Sequence, residues 1–311
     1  MVWFLKSAPE FGDVTGRVAL VTGGNGGIGF ANIEQLALHG AKVYMAARNE
    51  SKAQQAIQQF EKLRGTETKG SIIWFPVNLS SIRDVRRAAD ELLRQEQKLH
   101  ILVNCAGMMM ADYDLSDDQI EMSVSVNHIG HFAVSTFLLP LLKDAAGEEN
   151  AGNVRVITMA SGVHYKISRE DIGDAWDLNK TFAADSNNIN KLGTRIKRYA
   201  YSKLLNVLFA KELQRRLVAT NGALELYPTW IRGLLKAIGR TPLQGATAAL
   251  FAATSDKIAL QKDKYRGSYL NQSGHIDQPS DVAKDTRLAA DLWEVSNKAV
   301  QKALADNLSE N

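Results

Sequence analysis

Short apolar runs alternate with helical patterns through the first half of the chain, and a glycine-rich turn joins the first run to the first helix. The runs fall at Val18–Thr22, 43–46, 72–77, 101–103 and 154–158. Helical spacing fills the intervals at 29–39, 51–64, 82–97 and 119–142. Such runs are apolar throughout rather than every second residue. That is the signature of strands covered on both faces, as in a parallel sheet with crossover helices. The expected fold is therefore α/β, a doubly wound parallel (Rossmann) sheet in a single domain, with its ligand site at the carboxyl ends of the strands. A chain of 311 residues that is 45% hydrophobic can fill such a core. The expected boundaries are an N-terminal extension over 1–15, the domain over 16–302 and a tail over 303–311.

Composition excludes several classes. Thirty-seven basic and 34 acidic residues leave a net charge of +3, which gives no support for nucleic acid as a partner. The single cysteine, Cys105, cannot form an internal disulfide and fits a reducing, cytoplasmic setting. The apolar start at Val2–Leu5 is too short for a secretory core or a membrane span, each of which needs at least about 7 apolar residues. No cluster of His, Asp or Glu suggests a metal.

The turn reads Thr22-Gly23-Gly24-Asn25-Gly26-Gly27-Ile28-Gly29. Glycines between a strand and a helix allow backbone N–H groups to approach a pyrophosphate at the positive end of the helix dipole. A dinucleotide site is expected, with a ligand-free glycine turn as the bland alternative. At the end of the second strand stands Met45-Ala46-Ala47-Arg48-Asn49. An NAD site places a carboxylate there for the ribose 2′-hydroxyl. Arg48 suits a 2′-phosphate instead, so NADP(H) is expected over NAD(H).

Five stretches in order then become specific together. Thr22–Gly29 resembles the TGxxxGIG motif of the short-chain dehydrogenases/reductases, and Asn104-Cys105-Ala106-Gly107 resembles their NNAG. Asn127-His128-Ile129-Gly130-His131-Phe132 resembles the NxxGHF segment of the retinol-dehydrogenase-like branch. Ser161 is similar to the family's serine after the fifth strand, and Tyr199-Ala200-Tyr201-Ser202-Lys203 to YxxxK.

The resemblance implies a carbonyl–alcohol oxidoreductase with a tetrad of Asn127, Ser161, Tyr199 and Lys203. Tyr199 would exchange the proton, Ser161 would bond the substrate oxygen and Asn127 would hold a relay water. Lys203, one helical turn on, would also hold the nicotinamide ribose. It further implies cofactor contacts at Gly23, Asn25, Gly27, Ile28, Gly29, Asn78, Asn104, Ala106 and Gly107. A phenol with a pKa near ~10 must drop by about 3 units, or about 4 kcal/mol, to act at neutral pH. One charge at about 4 Å and an effective dielectric near 20 supplies about that much. Tyr201 points to the other side of the helix and has no lysine at i+4. Taken singly, these residues could equally be a helix pair, a loop cap and a backbone tie. His128 and His131 are expected to pack against the core or flank a subunit interface.

Three departures from the family stand out. Cys105 replaces an asparagine, and Asn78 replaces an aspartate near adenine. The third lies after the amphipathic helix at 198–217. There 224–239 and 244–253 both look helical, 267–271 is the next strand candidate, and a polar loop at 178–190 precedes it all. The family's sixth strand and its Pro-Gly turn are therefore expected to be missing, through a gap between Leu217 and Val218. Thr220 falls in a segment similar to the one after that turn in the family, and is carried as a further cofactor contact.

Two functions stay open at this point. One is an NADP(H)-dependent enzyme of secondary metabolism acting on a lipophilic alcohol or carbonyl, working as a homodimer or homotetramer. The other is a catalytically impaired cofactor-binding or dimerising protein.

Overall fold

A computed structural model describes residues 11–63, 69–147, 154–219, 225–231 and 241–306. Strands and helices alternate as β1 (Val18–Thr22), α1 (Gly27–Leu38), β2 (Lys42–Ala46), α2 (Glu50–Leu63), β3 (Ser71–Phe75), α3 (Ile82–Gln95) and β4 (Ile101–Asn104). The next helical stretch is broken. It comprises α4 (Met122–Val124), a π turn at Ser125–Ile129, α5 (Gly130–Phe137) and α6 (Leu139–Ala146). Then come β5 (Arg155–Ser161), α7 (Arg169–Ile172), the long α8 (Leu192–Ala219) and β6 (Glu225–Ile231). Helices α9 (Pro242–Thr254), α10 (Asp256–Leu260) and α11 (Lys262–Tyr265), the short strands β7 (Tyr269–Leu270) and β8 (Ile276–Asp277), and α12 (Thr286–Asp306) complete the order.

The strands form one sheet in the order β3-β2-β1-β4-β5-β6-β7-β8, parallel except for the final β7–β8 pair. Successive strand residues feed two cores. Leu20, Leu102 and Val156 join a cluster with α3, α5, α8 and α12. Ala19, Val21, Val103, Ile157 and Met159 join one with α1 and α9 on the opposite face. Burial on both faces is why the strands read as unbroken apolar runs. The chain reverses its direction of travel between β1 and β4, so the loops after these two strands open a crevice at their carboxyl ends.

The missing sixth strand is corrected. Glu225–Ile231 pairs in parallel with β5 along its whole length, from Arg155↔Glu225 to Ser161↔Ile231. The helical reading of 224–239 passed over Pro228, which costs a helix interior about 3 kcal/mol, and over the strand-favouring Tyr227, Thr229, Trp230 and Ile231. Proline is unusual inside a sheet because it cannot donate to the ladder. Here the outer ladder of β6 is a single registered pair, Thr229↔Leu270. β5 thus has strand neighbours on both sides, and β7 keeps its own place. Thr220 lies outside the described residues.

Three smaller corrections concern element ends. The helix expected over 119–142 starts only at Met122, where the Glu121 carboxylate caps Val124 N–H at 2.9 Å, and it breaks at Leu138 ahead of Pro140. The expected tail at 303–311 begins too early. α12 runs to Asp306, with Ala303 buried in the core. At the other end, Val14 is buried and Gly12 N–H bonds Thr254 Oγ1 at 3.1 Å, so 11–15 packs on the domain. Among the described residues no single helix is long and apolar enough to cross a membrane.

Candidate active site

The glycine turn closes against the loop after β4. Gly23 has φ +70°, and a Cβ there would lie 2.7 Å from the Ala106 Cα. A Cβ on Gly29 would lie 2.2 Å from the Gly23 carbonyl oxygen. Both positions therefore need the bare backbone. Thr22 holds the two loops together, because its Oγ1 accepts from Cys105 N–H at 2.9 Å and Ala106 N–H at 3.0 Å. Cys105 contributes to this tie through its backbone, which makes its side chain replaceable. Burial pushes its thiol up to about 11.

Between these loops and the end of β2 lies a cleft of about 270 Å³. Gly23, Asn25, Arg48, Asn78, Ala106 and Gly107, each expected as a cofactor contact, are among the residues that line it. Asn49, Lys52 and Met108 also line it. Lys52 was missed, although its signal was available: it stands four residues after Arg48, in the first turn of α2. No carboxylate is among the described residues lining the cleft. Asn78 Oδ1 already accepts from Ser80 Oγ at 2.8 Å, so its amide N–H groups are what it has left to offer a ligand.

Other expected contacts lie elsewhere. Asn104 is fully buried and donates to Ser135 Oγ at 2.9 Å and Thr158 Oγ1 at 3.4 Å, tying β4 to α5 and β5. Gly27, Ile28 and Gly29 do not line the cleft, and Ile28 packs beneath Gly245 of α9.

Two members of the tetrad, Lys203 and Asn127, approach this cleft at Gly107. Ser161 is the last residue of β5, and Tyr199 and Lys203 stand on the face of α8 packed against that strand. The Tyr199 hydroxyl hydrogen-bonds Ser161. Lys203 Nζ donates to the Met159 carbonyl at 2.9 Å and lies 5.9 Å from the centre of the Tyr199 ring. A Cβ on Gly107 would be 3.6 Å from Lys203 Nζ and 3.3 Å from Asn127 Oδ1, so the cleft runs directly onto these groups. Asn127 sits in the π turn, a device often found at functional positions. Its Nδ2 donates to the Met108 carbonyl at 3.0 Å and Ser202 Oγ at 2.9 Å, and its Oδ1 accepts from Met108 N–H at 2.7 Å.

Electrostatics depart from the simple expectation for the pair. Burial raises the Tyr199 phenol, opposed only by its bond to Ser161. Burial also brings Lys203 down to about 8. Lys203 spends a hydrogen bond on Met159, and the Tyr199 phenol is governed by burial and by Ser161, so its net shift runs opposite to the depression expected from one lysine at about 4 Å. Tyr201 is fully buried between Trp176 and Phe182, at 5.8 and 5.3 Å between ring centres. His128 and His131 are both core residues. His131 bridges Thr22 Oγ1 at 2.8 Å and the Asn127 carbonyl at 2.9 Å, and His128 bonds Ser296 Oγ at 2.8 Å. Burial brings them to about 4 and about 3, so both are neutral. Among the described residues no group of three or more His, Cys, Asp or Glu is placed to hold a metal.

A family model for short chain dehydrogenases matches residues 17–168. A short chain dehydrogenase/reductase of Colletotrichum higginsianum is 37% identical over 93% of this chain and 76% of its own length. Retinol dehydrogenase 14 of Mus musculus is 30% identical over 92% of this chain and 86% of its own. The crystal structure of an uncharacterised protein from Mycobacterium paratuberculosis superposes with a TM-score of 0.70 at 30% identity, covering 95% and 97% of the two chains. A Rossmann sheet with a serine, a tyrosine and a lysine beside its crevice is the frame of an NAD(P)-dependent oxidoreductase acting on CH–OH groups. The chain belongs to the short-chain dehydrogenase/reductase family, in its retinol-dehydrogenase-like branch.

Proposed function

We propose that this protein is an NADP(H)-dependent enzyme interconverting a carbonyl and an alcohol on a lipophilic small molecule. The observation that carries this reading is that Lys203 lies beside Gly107 at the cleft and near the Tyr199 ring, while Tyr199 in turn bonds Ser161. The cleft fits the cofactor: backbone N–H groups and glycines lie at one end, and two cations lie at the other with no acid among the residues lining it. Arg48 and Lys52 would take the 2′-phosphate, and Asn78 the adenine. Bound NADPH would supply the hydride. Tyr199 would give its hydroxyl proton to the carbonyl oxygen and recover one from solvent. Ser161 would hold that oxygen by a hydrogen bond, Lys203 would support the phenolate and bind ribose hydroxyls, and Asn127 would keep the loop carrying Met108 in place and order a relay water.

Two observations favour a lipophilic substrate. Met108 lines the cleft, and Met109 beside it is about half exposed at 53%. Methionine surfaces adapt to varied apolar shapes. Secondary metabolism is the setting proposed for it. A cytoplasmic location and a homodimer or homotetramer belong to the same proposal. The case for an impaired protein rested on an absent sixth strand, and β6 removes that ground. The test is NADPH consumption across a panel of aliphatic and aromatic ketones, with Tyr199→Phe as the control. Consumption equal in both proteins, or absent in the wild type while NADPH binds, would overturn the reading.

A further inference from the structure

Beside Tyr199 on α8 lies a charge that the proposed chemistry does not use. Arg198 is only 1% exposed, and its partner Glu121 is fully buried, with Nε and Oε1 3.5 Å apart. Glu121 is further satisfied by Val124 N–H at 2.9 Å and Ser123 Oγ at 3.1 Å. The guanidinium reaches two separate loops. Nη2 donates to the Ala111 carbonyl at 3.0 Å, in the segment between β4 and α4. Nη1 donates to the carbonyls of Ile189 and Thr181, in the polar loop between α7 and α8. Asn179 completes the link between the loops. Its Oδ1 accepts from Glu121 N–H at 2.7 Å, and its Nδ2 donates to the Gln119 carbonyl at 3.0 Å.

Backbone conformation marks the same place. Among the described residues, three that are not glycine have a left-handed φ: Met110 at 51°, Gln119 at 57° and Phe182 at 58°. Met110 precedes Ala111, Phe182 follows Thr181, and Gln119 presents the carbonyl that Asn179 holds. Side-chain-bearing residues resist this conformation, and it persists where surrounding bonds over-determine it. All three strained positions thus lie within one residue of a carbonyl held by Arg198 or Asn179. A buried ion pair is poor stability engineering, since an apolar pair of similar volume is often as good or better. Stability alone therefore does not account for this one.

We infer that Arg198, braced by Glu121 and Asn179, is a positioning residue. It pins residues 108–121 and 178–190 against α8 and so shapes the entrance through which substrate meets Tyr199. The inference rests on the proposed catalytic role of Tyr199 and names what sets substrate fit at that site. Of the two pinned segments only Met108 lines the cofactor cleft, and Asn127 holds Met108 by both its N–H and its carbonyl, so NADPH binding depends little on the clamp.

The experiment compares wild type with Arg198→Met, Arg198→Met/Glu121→Leu and Asn179→Ala in the full chain. Readouts are melting temperature, NADPH affinity, ketone KM and kcat, and hydrogen exchange over 108–121 and 178–190. Arg198→Met alone strands a buried carboxylate and should melt well below wild type. The double variant removes both charges and should recover most of that loss. A merely structural pair would then also recover substrate handling. The clamp predicts otherwise: KM raised tenfold or more, NADPH affinity within twofold of wild type, and faster exchange in both loops. Asn179→Ala, which leaves the ion pair intact, should show the same pattern more weakly. Wild-type KM and unchanged exchange in both the double variant and Asn179→Ala would overturn the clamp. Exchange needs no turnover, so the two readings separate. Loosened loops in a protein that reduces no ketone would sink the oxidoreductase reading and leave the clamp standing.

Discussion

Lys203 Nζ donates to the Met159 carbonyl at 2.9 Å and keeps 5.9 Å from the Tyr199 ring centre. The lysine is therefore anchored to β5, and its support of the phenol acts through space. Its pKa, brought to about 8 by burial, then governs a limb of the pH profile. The kcat/KM for carbonyl reduction should fall as pH rises through about 8, because the ammonium charge is lost there, and Lys203→Arg should move that limb upward. The stability effect has the opposite sign. Below about 8 the lysine is protonated in both folded and unfolded chains, and the fold carries the full burial penalty. Between about 8 and the usual 10.5 the unfolded chain holds more protons, so stability rises with pH. Lys203→Met should flatten that rise and melt higher than wild type at pH ~7, with little turnover left. A lower melting temperature at pH ~7 would contradict it.

Tyr199→Phe keeps the ring against β5 and removes the exchangeable proton. Loss of a general acid typically costs about 10²–10⁴-fold, so kcat should fall by about 10³-fold while NADPH affinity stays near wild type. Tyr201→Phe alters a buried hydroxyl beside Asp177 and should leave kcat within about twofold, with a small change in melting temperature. Equal kinetic losses from the two changes would show that the tyrosines are misassigned.

Cofactor choice should track the two cations of the cleft. Arg48→Asp and Lys52→Ala should each weaken NADPH by about tenfold or more, as expected for one charge-assisted contact of about 1.5–3 kcal/mol. NADH, which lacks the 2′-phosphate, should be little affected by Lys52→Ala and improved by Arg48→Asp. A titration in which the wild type prefers NADH would refute the assignment.

Acid should unfold the protein through its buried histidines. His128 and His131 are held neutral, at about 3 and about 4 against the usual 6.5. Above 6.5 neither folded nor unfolded chain protonates them. As pH falls below 6.5 the unfolded chain takes up protons first, so stability drops by up to about 1.4 kcal/mol per pH unit for each histidine. The melting temperature should decline from pH ~6.5 downwards. His131→Gln, which can still bridge Thr22 and the Asn127 carbonyl, should shallow that decline. A slope identical to wild type would mean that the imidazole is not the titrating group.

Most of the fold was legible because a two-sided sheet writes itself as apolar runs. The first five strands fall within a few residues of where those runs place them. β6 was not legible as a strand: Pro228 sits within it, and the leucines at 224, 226, 234 and 235 of the surrounding stretch mimic a helical stripe. At the site, Gly23, Arg48, Asn78 and Gly107 could be found from motif and strand ends, because short-range geometry fixes the residues just past a strand. Asn104 could not, since the same motif position serves either ligand or core, and only packing against Ser135 and Thr158 decides between them. Arg198 was silent for a related reason. Beyond Glu121 and Asn190 its partners are loop carbonyls, and carbonyls carry no sequence identity.

The π turn at Ser125–Ile129 makes chain length, and not only residue type, a variable of the site. It holds one residue more than a regular turn would, and each residue advances a helix by about 100°. Upstream of the turn, Glu121 faces Arg198. Downstream, Phe132 and Ala133 face α3 and α12 in the core. A single deletion inside the turn would give a straighter, better-bonded helix. It would also swing either Asn127 away from Met108 or Phe132 away from Trp293, its ring neighbour at 4.9 Å. Point substitutions here alter one side chain at a time. A change of length does not, so the local count of residues is inherited as a unit by any variant that keeps both the core and the site.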